Sequence, residues 1–424
     1  MRTWKSNRRL YQNNMEHERH GIRKLWVAGL RGIPGLWGGV EQVAQRRIRR
    51  IWVAGLRGVP SLSGGVEQVV ERLYPQLKDL CERQGLPVRI TIANRSQYFT
   101  QRPTSFESLE LRYLASPDLK GFESLLHSGF ALWAAFRDQA DVIHLHAIGA
   151  WIWVPFARIL GMRVCLYHHG NDHLRDKWGV AARLFLVGSM HFGSLFADRI
   201  YLLNPVHMAN LPLIRKGKIR IVPNGIDFDI PPPEEIPAAI EIKNFLFVGR
   251  ITPEKNVLEL IRAFNLLNRD SNDTPRLCVI GPPAHGEEEY FEKCKAEAIG
   301  NPLVDFVGPL PPLRVKDYYR PDAVLALLSS IEGMPMVALE ALAGGCRLLL
   351  SNIPEHEVFE KNFRASRVDP GKPEQVVAAM REMIDRPHNS KQIVDNLQSL
   401  KKYHNWENSA TILRDDLKVL LARK

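Results

Sequence analysis

Residues 329–346 read SSIEGMPMVALEALAGGC, and the fold turns on this stretch. Before it stands Ala323-Val324-Leu325-Ala326-Leu327-Leu328, short and aliphatic enough for a buried strand. Gly333 and Pro335 break that strand. Met336 to Leu342 then read as a helix of good formers, with Gly344-Gly345 as its stop. A strand, a tight Gly/Pro turn and a helix N-terminus in succession make an anion site, because free backbone N–H groups and the positive end of the helix dipole point into it. Gly333, Met334, Pro335, Met336 and Val337 are the residues expected to line it. Glu332 precedes the turn, and Glu340 follows about two helical turns later on the same side. Two such carboxylates can hold hydroxyls on either side of a bound phosphate. By spacing alone two solvated glutamates of a surface helix are the better reading, and it is the Gly-Met-Pro turn after a strand that favours the site.

At 424 residues the chain exceeds one ordinary core, and two domains are expected. Its hydrophobic fraction of 45% and charged fraction of 24% are those of a globular protein. Five scattered cysteines, none in a C-x-x-C pair, argue against a disulfide frame or zinc finger and for a reducing, cytoplasmic setting. The net charge of +11 is concentrated at one end: residues 1–50 hold 12 Lys/Arg against 3 Asp/Glu, leaving 45 basic and 43 acidic residues over 51–424. Such an extension suits either solvent or peripheral contact with an anionic membrane. It lacks the interleaved aromatics of a nucleic-acid surface, so no nucleic-acid partner is expected. Residues 1–24 have no apolar signal-peptide core, and 147–167 is interrupted by Pro155, Arg158 and Arg163, short of a membrane span.

An internal repeat stands near the start. Residues 25–46 (LWVAGLRGIPGLWGGVEQVAQR) and 51–72 (IWVAGLRGVPSLSGGVEQVVER) are identical at 16 of 22 positions. Each reads as a strand, a Gly-rich loop and a helix start. Only the second continues the helical spacing, through Val66, Val69, Val70, Leu73, Leu77 and Leu80, with a kink expected at Pro75. The second copy should therefore be the structural one. Strand-like runs then alternate with helix-like ones as far as residue 222, the Pro-rich stretch 230–240 reads as a linker, and a second alternating series starts at Asn244. The fold class expected is α/β, with two Rossmann-like doubly wound domains facing across a cleft. They would occupy 51–229 and 230–424, behind the extension 1–50. Ligands bind such sheets beyond the carboxyl ends of the strands.

Several groups fall near those ends. Gly249-Arg250 ends one strand, with Lys255 five residues on. Glycine admits close backbone approach, and the two cations can neutralise a diphosphate without metal. Gly64 and Gly65 close a loop between strand and helix, either an anion cradle or a plain turn. His144-x-His146 and His168-His169 have ligand-like spacings, but no carboxylate completes a metal set. Asp227-Phe228-Asp229 imitates a metal-holding D-x-D and follows the turn signal Asn224-Gly225.

The E-x7-E stretch resembles the signature of the family-4 retaining glycosyltransferases, which have the GT-B fold, and the resemblance extends over about residues 51–424. FVGRITPEKNVLELIRAF resembles the family's second recognised segment, which implies that Arg250 and Lys255 contact the donor pyrophosphate. YHHGNDHLRDKWG resembles its T-x-H-G segment, implying that His169 contacts the donor sugar. RGVPSLSGGVEQ is similar to the RGIP…GGFE opening of a rhamnosyltransferase-like subgroup, with Ser63 in place of an aromatic residue and Val66 in place of Phe. PNGID resembles the end of the family's first domain, where no metal binds, and the last helix resembles one that packs back across that domain. The resemblance implies a metal-independent enzyme that uses a nucleotide-diphosphate sugar and no cofactor. It would glycosylate a sugar or lipid-linked sugar acceptor, in bacterial surface polysaccharide or glycan synthesis. Glu332 would orient the donor sugar and Glu340 its ribose. A GT-B epimerase or phosphorylase, and a catalytically weak scaffold, are the alternatives.

Overall fold

The computed structural model describes residues 47–60, 64–117, 123–175, 178–211, 214, 216–228, 236–267 and 275–422. The first repeat copy, Ser63, Asp229 and the start of the linker lie outside the described residues.

The first sheet comprises β1 (Arg49–Ala54), β2 (Val88–Arg95), β3 (Ser105–Phe106), β4 (Leu109–Leu114), β5 (Val142–Leu145), β6 (Arg163–His168), β7 (Arg199–Leu202) and β8 (Ile219–Ile221). Their order is β3-β4-β2-β1-β5-β6-β7-β8. All pairs are parallel except β3 with β4. The helices are α1 (Gly65–Arg83), α2 (Glu123–Arg137), α3 (Val154–Ile159) and α4 (Val180–Phe196). After a short antiparallel pair made by β9 (Ala239–Ile240) with a later segment, the second sheet contains β10 (Asn244–Val248), β11 (Arg276–Ile280), β12 (Val304–Gly308), β13 (Ala323–Leu327), β14 (Arg347–Ser351) and β15 (Ser366–Val368). Here the order is β12-β11-β10-β13-β14-β15, all parallel. Its helices are α5 (Val257–Leu267), α6 (Glu288–Ala298), α7 (Pro312–Val315), α8 (Met336–Ala343), α9 (Glu357–Phe363) and α10 (Pro373–Asp385), followed by α11 (Ser390–Tyr403) and α12 (Trp406–Ala422).

These are the two doubly wound α/β domains that the alternating runs imply. Parallel strands are covered on both faces, so their sequences are continuous apolar runs rather than alternating ones. Every residue of β13 is buried, as are the last five of β6. Strand order reverses beside β1 and β5 in the first sheet and beside β10 and β13 in the second. Those reversals open the crevices in which ligands settle.

The structure departs from the sequence reading in three places. β1 begins at Arg49 rather than 51, because Arg49 and Arg50 pair with Val88 and Arg89, and Asp141 accepts from Arg49 Nη1 (3.4 Å) and the Arg50 amide (3.1 Å). α1 runs unbroken through Pro75, held by the buried Val69, Val70, Leu73 and Leu77. β4, β12, β15, α4, α9 and α11 are elements beyond those the sequence reading assigns, although α11 does carry Ile393, Leu397 and Leu400 at helical spacing.

α12 packs along α1. Its Ser409 hydroxyl donates to the Pro223 carbonyl at 2.7 Å, and Arg199 Nε on β7 donates to Asp416 at 2.6 Å. Asp416 is 4% exposed and also faces Arg220 at 3.6 Å. Removing one partner of such a pair strands the other charge, at about 3–5 kcal/mol when fully buried. Asp416→Ala should therefore lower unfolding stability by about 3 kcal/mol in urea titrations. Pairing it with Arg199→Met should recover much of that loss.

Candidate functional site

The loops after β10 and β13 lie side by side because those strands are neighbours. Gly249 follows β10 with φ +151°, a conformation that a side chain would strain, and turns the chain toward the exposed Arg250. The next turn, Pro253–Lys255, is pinned onto the β13 loop. The Ser330 amide donates to the Glu254 carbonyl at 2.9 Å, and Asn256 Nδ2 donates to the Leu328 carbonyl at 2.7 Å. This carries Lys255 Nζ into an ion pair with Glu332. Burial raises the Glu332 carboxyl pKa, but the charge and hydrogen bond of Lys255 outweigh it and hold the group below its ordinary value. Glu332 is thus a carboxylate whose negative charge Lys255 balances.

α8 starts at Met336 behind Pro335, and among the described residues the Met336 and Val337 amides donate to no backbone carbonyl. Glu340 lies further along α8 and accepts from the Tyr319 hydroxyl at 3.2 Å. Burial raises its pKa despite that bond. Glu332 and Glu340 therefore differ in character: one is ion-paired and held ionised, the other is pushed toward protonation.

The first domain meets this wall most closely at two glycines. A β-carbon at Gly333 would overlap the carbonyl oxygen of His169, and one at Gly170 would lie 3.1 Å from the Gly333 Cα. The two backbones touch, and only glycine permits it. Buried amides close the seam on either side. Asn171 Nδ2 donates to Glu355 Oε1 at 3.1 Å, Asn204 Nδ2 to the Glu355 carbonyl at 2.9 Å, and Asn224 Nδ2 to the Met334 carbonyl at 3.2 Å. His207 Nε2 lies 3.4 Å from Glu355 Oε1.

The His169 ring is the end of a hydrogen-bonded row leading into the first domain. Its Nε2 meets His146 Nδ1 at 2.7 Å, His146 Nε2 meets the Tyr74 hydroxyl at 2.9 Å, and that hydroxyl meets His144 Nδ1 at 2.7 Å. Tyr167 stacks on His146 and His169 at 4.7 and 5.4 Å between ring centres. Burial drives the His144 and His169 pKa values down to about 3, and that of His146 well below its usual value. A neutral row carries one proton per link, so its direction fixes the His169 tautomer. His144 and His146 meet across a tyrosine, and among the described residues no three His, Cys, Asp or Glu groups converge as metal ligands.

The structure thus brings together Lys255, Glu332, Gly333 and His169, sets Met334, Pro335, Met336 and Val337 directly beyond them, and keeps Gly249 and Arg250 at the adjoining strand end. Gly64 and Gly65 stand at the N-terminus of α1, and Gly64 borders the Glu67 carboxylate, which itself accepts from the Arg57 amide at 2.9 Å. Asp227 lies 3.8 Å from Arg72, both side chains exposed. Tyr74, Asn171, Asn204, Tyr319 and Glu355 were not found from sequence. Asn171 lies inside the quoted YHHGNDHLRDKWG segment but was given no role there, and the other four are isolated polar residues without motif spacing.

Comparison with known proteins places the chain among relatives. Residues 63–230 match the family described as Glycosyltransferase Family 4, and residues 234–400 match Glycosyl transferases group 1. A D-inositol 3-phosphate glycosyltransferase of Rhodococcus jostii is 28% identical over 39% of this chain and 37% of its own. A lipopolysaccharide 1,2-N-acetylglucosaminetransferase of Salmonella typhimurium is 30% identical over 31% and 38%. The matches thus span less than half of these relatives' length. Among solved structures, sucrose-phosphate synthase of Thermosynechococcus elongatus superposes with a TM-score of 0.71, 18% identical, over 89% of this chain and 100% of that one. Anabaena Alr3699/HepE in complex with UDP-glucose gives 0.65 at 12% identity, over 88% and 100%. The fold they share with this chain is GT-B.

Two predictions follow from the contacts. Gly333→Ala must push His169 away, and should cost at least about 1–3 kcal/mol in denaturant unfolding. Gly65→Ala, where a β-carbon meets nothing within 4 Å, should be near neutral and serves as the control. The second concerns pH. An imidazole kept neutral in the fold but titrating near its ordinary value when unfolded contributes stability that is complete above that value and is lost as pH falls toward the folded value. For His144 and His169 the window runs from about 6.5 down to about 3. Melting measured from pH 7.5 to 5.5 should show stability falling by about 1 kcal/mol for each such imidazole. A flat profile would contradict the neutral row.

Proposed function

We propose that this chain, which belongs with the family-4 glycosyltransferases of GT-B fold, moves a sugar from a nucleotide diphosphate donor to an acceptor hydroxyl with retention of anomeric configuration. The observation that supports this reading is the Lys255–Glu332 pair, set where the His169–Gly170 backbone meets Gly333, at the strand ends of two doubly wound sheets.

In such a transfer, negative charge gathers on the leaving diphosphate. Arg250, Lys255 and the amides that open α8 provide the positive field that stabilises it. The cations are the chain's own, so the step proceeds without a divalent ion. A diphosphate competes with Glu332 for Lys255. As it takes that ammonium, the Glu332 carboxylate is released to accept hydroxyl donors of the sugar. His169, fixed in one tautomer by His146 and Tyr74, offers Nδ1 to another sugar hydroxyl. Glu340, nearer neutrality, suits the ribose hydroxyls further along α8. The donor phosphate itself receives the acceptor proton on the face from which it leaves, so no separate protein base is needed. The acceptor is a sugar or lipid-linked sugar of a bacterial surface glycan.

A thermal-shift screen against UDP, GDP, ADP and dTDP tests this. One nucleotide should raise the melting temperature, by the equivalent of about 2.7 kcal/mol at 100 times its dissociation constant. The shift should persist in EDTA and be lost in Arg250→Ala. Absence of any shift would overturn the reading, and a shift abolished by EDTA would overturn its metal-free form. With a turned-over donor, NMR of the first-formed product should show the donor's own anomeric configuration.

A further inference from the structure

Helix α4 is built the wrong way round for a helix in water. The side it turns inward carries the apolar Leu186 and Met190 with the small Ser189, Gly193 and Ser194. Its outward arc carries Val180 and Leu184, 76% and 69% exposed, then Phe185, Phe192, Leu195 and Phe196. A surface helix normally shows the reverse. The buried side is tightly seated: a β-carbon on Gly193 would strike the backbone of Trp151, and the Ser189 hydroxyl donates to the Ile148 carbonyl at 2.8 Å. The apolar arc is therefore fixed outward.

Its neighbours repeat the pattern. α2, α3 and α4 cover one face of the first sheet through a shared core cluster. The Trp153 indole between them donates to the Leu125 carbonyl on α2 at 2.9 Å. α2 turns out Phe130, Trp133 and Phe136, and α3 turns out Phe156 and Ile159. Eleven of the eighteen large apolar side chains exposed among the described residues lie on these three helices. Monomeric proteins rarely leave such a surface to water.

The charge pattern says what covers it. Residues 124–136, 142–163 and 178–197 contain no Asp or Glu. The carboxylates at the edge are already held: Asp138 by Arg89 at 2.5 Å, and Asp198 by Arg158 and Arg163 at 2.7 and 3.2 Å. Exposed cations remain at the rim, Arg137 ending α2 and Lys216 before β8, while Lys218 Nζ caps the Leu195 carbonyl at the end of α4. Aromatic and aliphatic side chains inside a basic rim are the composition that enters the headgroup layer of an anionic bilayer. A second copy docked on the same face would set that basic rim against itself.

We infer that the outer face of α2, α3 and α4 docks onto an anionic lipid surface, independently of residues 1–50 and of which sugar is moved. β6 and α4 flank the His169–Gly170 segment, so docking would hold the cleft beside the headgroups.

Flotation of the full chain with vesicles tests the inference, comparing phosphatidylcholine alone with a mixture containing one third phosphatidylglycerol. The protein should float with the mixture, and less so at high salt. Trp133→Ser combined with Phe192→Ser should weaken partitioning by about 10- to 100-fold, given the area each side chain would bury. Its circular dichroism and melting should stay unchanged, since both side chains are exposed. Arg137→Glu with Lys216→Glu should remove the preference for the anionic mixture. Wild type that stays in solution with both vesicles overturns the inference. So does flotation that the apolar double variant leaves intact, which would assign binding to another part of the chain. Sedimentation velocity showing a dimer that the same variant splits, without vesicle binding, would overturn it in favour of a second copy.

Discussion

Gly333 has no room for a side chain because the His169 carbonyl fills the space, and the arrangement of the site depends on that contact. It fixes the distance at which the loop after β6 faces the loop after β13. On one side stands Glu332 with Lys255, and on the other the His169 ring. The amides of Asn171, Asn204 and Asn224 then satisfy carbonyls and a carboxylate that the seam would otherwise bury unpaired. Leaving such groups unmet costs about 1–3 kcal/mol each, so the seam is specified by polar pairing and by shape together.

Electrostatics within the seam is arranged by exclusion as much as by attraction. The His169–His146–Tyr74–His144 row is kept neutral by burial, so it adds no cation to compete with Lys255 for an incoming anion. Lys255 forms an ion pair with Glu332, and Arg175 of the first domain forms another with Glu254 at 3.3 Å. Lys255 and the amides that open α8 are held in place by the loops after β10 and β13, a preorganised electropositive arrangement. Burial displaces Glu340 in the opposite direction despite its hydrogen bond from Tyr319, so two glutamates eight residues apart differ in chemistry.

The same first domain that supplies His169 presents an apolar, acid-free surface on the outside of its helices. α4 links the two, since it follows the His169 segment in sequence and carries the most inverted of the outward faces. One helix thus has Ser189, Gly193 and Ser194 turned toward the sheet and phenylalanines turned away.

The sequence by itself determined the two doubly wound domains. Buried parallel strands are continuous apolar runs and amphipathic helices have their own period, both local signals. It also marked Glu332, Gly333 and Glu340 through a strand-turn-helix pattern that local residues impose, and Gly249 at a strand end, whereas Arg250, Lys255 and His169 were singled out by the resemblance of their segments to those of the family-4 glycosyltransferases. α4 was missed for a physical reason: with Leu186 and Met190 turned inward and Leu184, Phe185, Phe192, Leu195 and Phe196 turned outward, it is apolar on both sides and shows no amphipathic period. Tertiary structure alone decided that Lys255 pairs with Glu332 across 77 positions, that Glu355 receives Asn171 and Asn204, and that Tyr74 bridges two histidines. Those partners come from loops that only strand order brings together, and strand order is a property of the assembled sheet that no local spacing encodes.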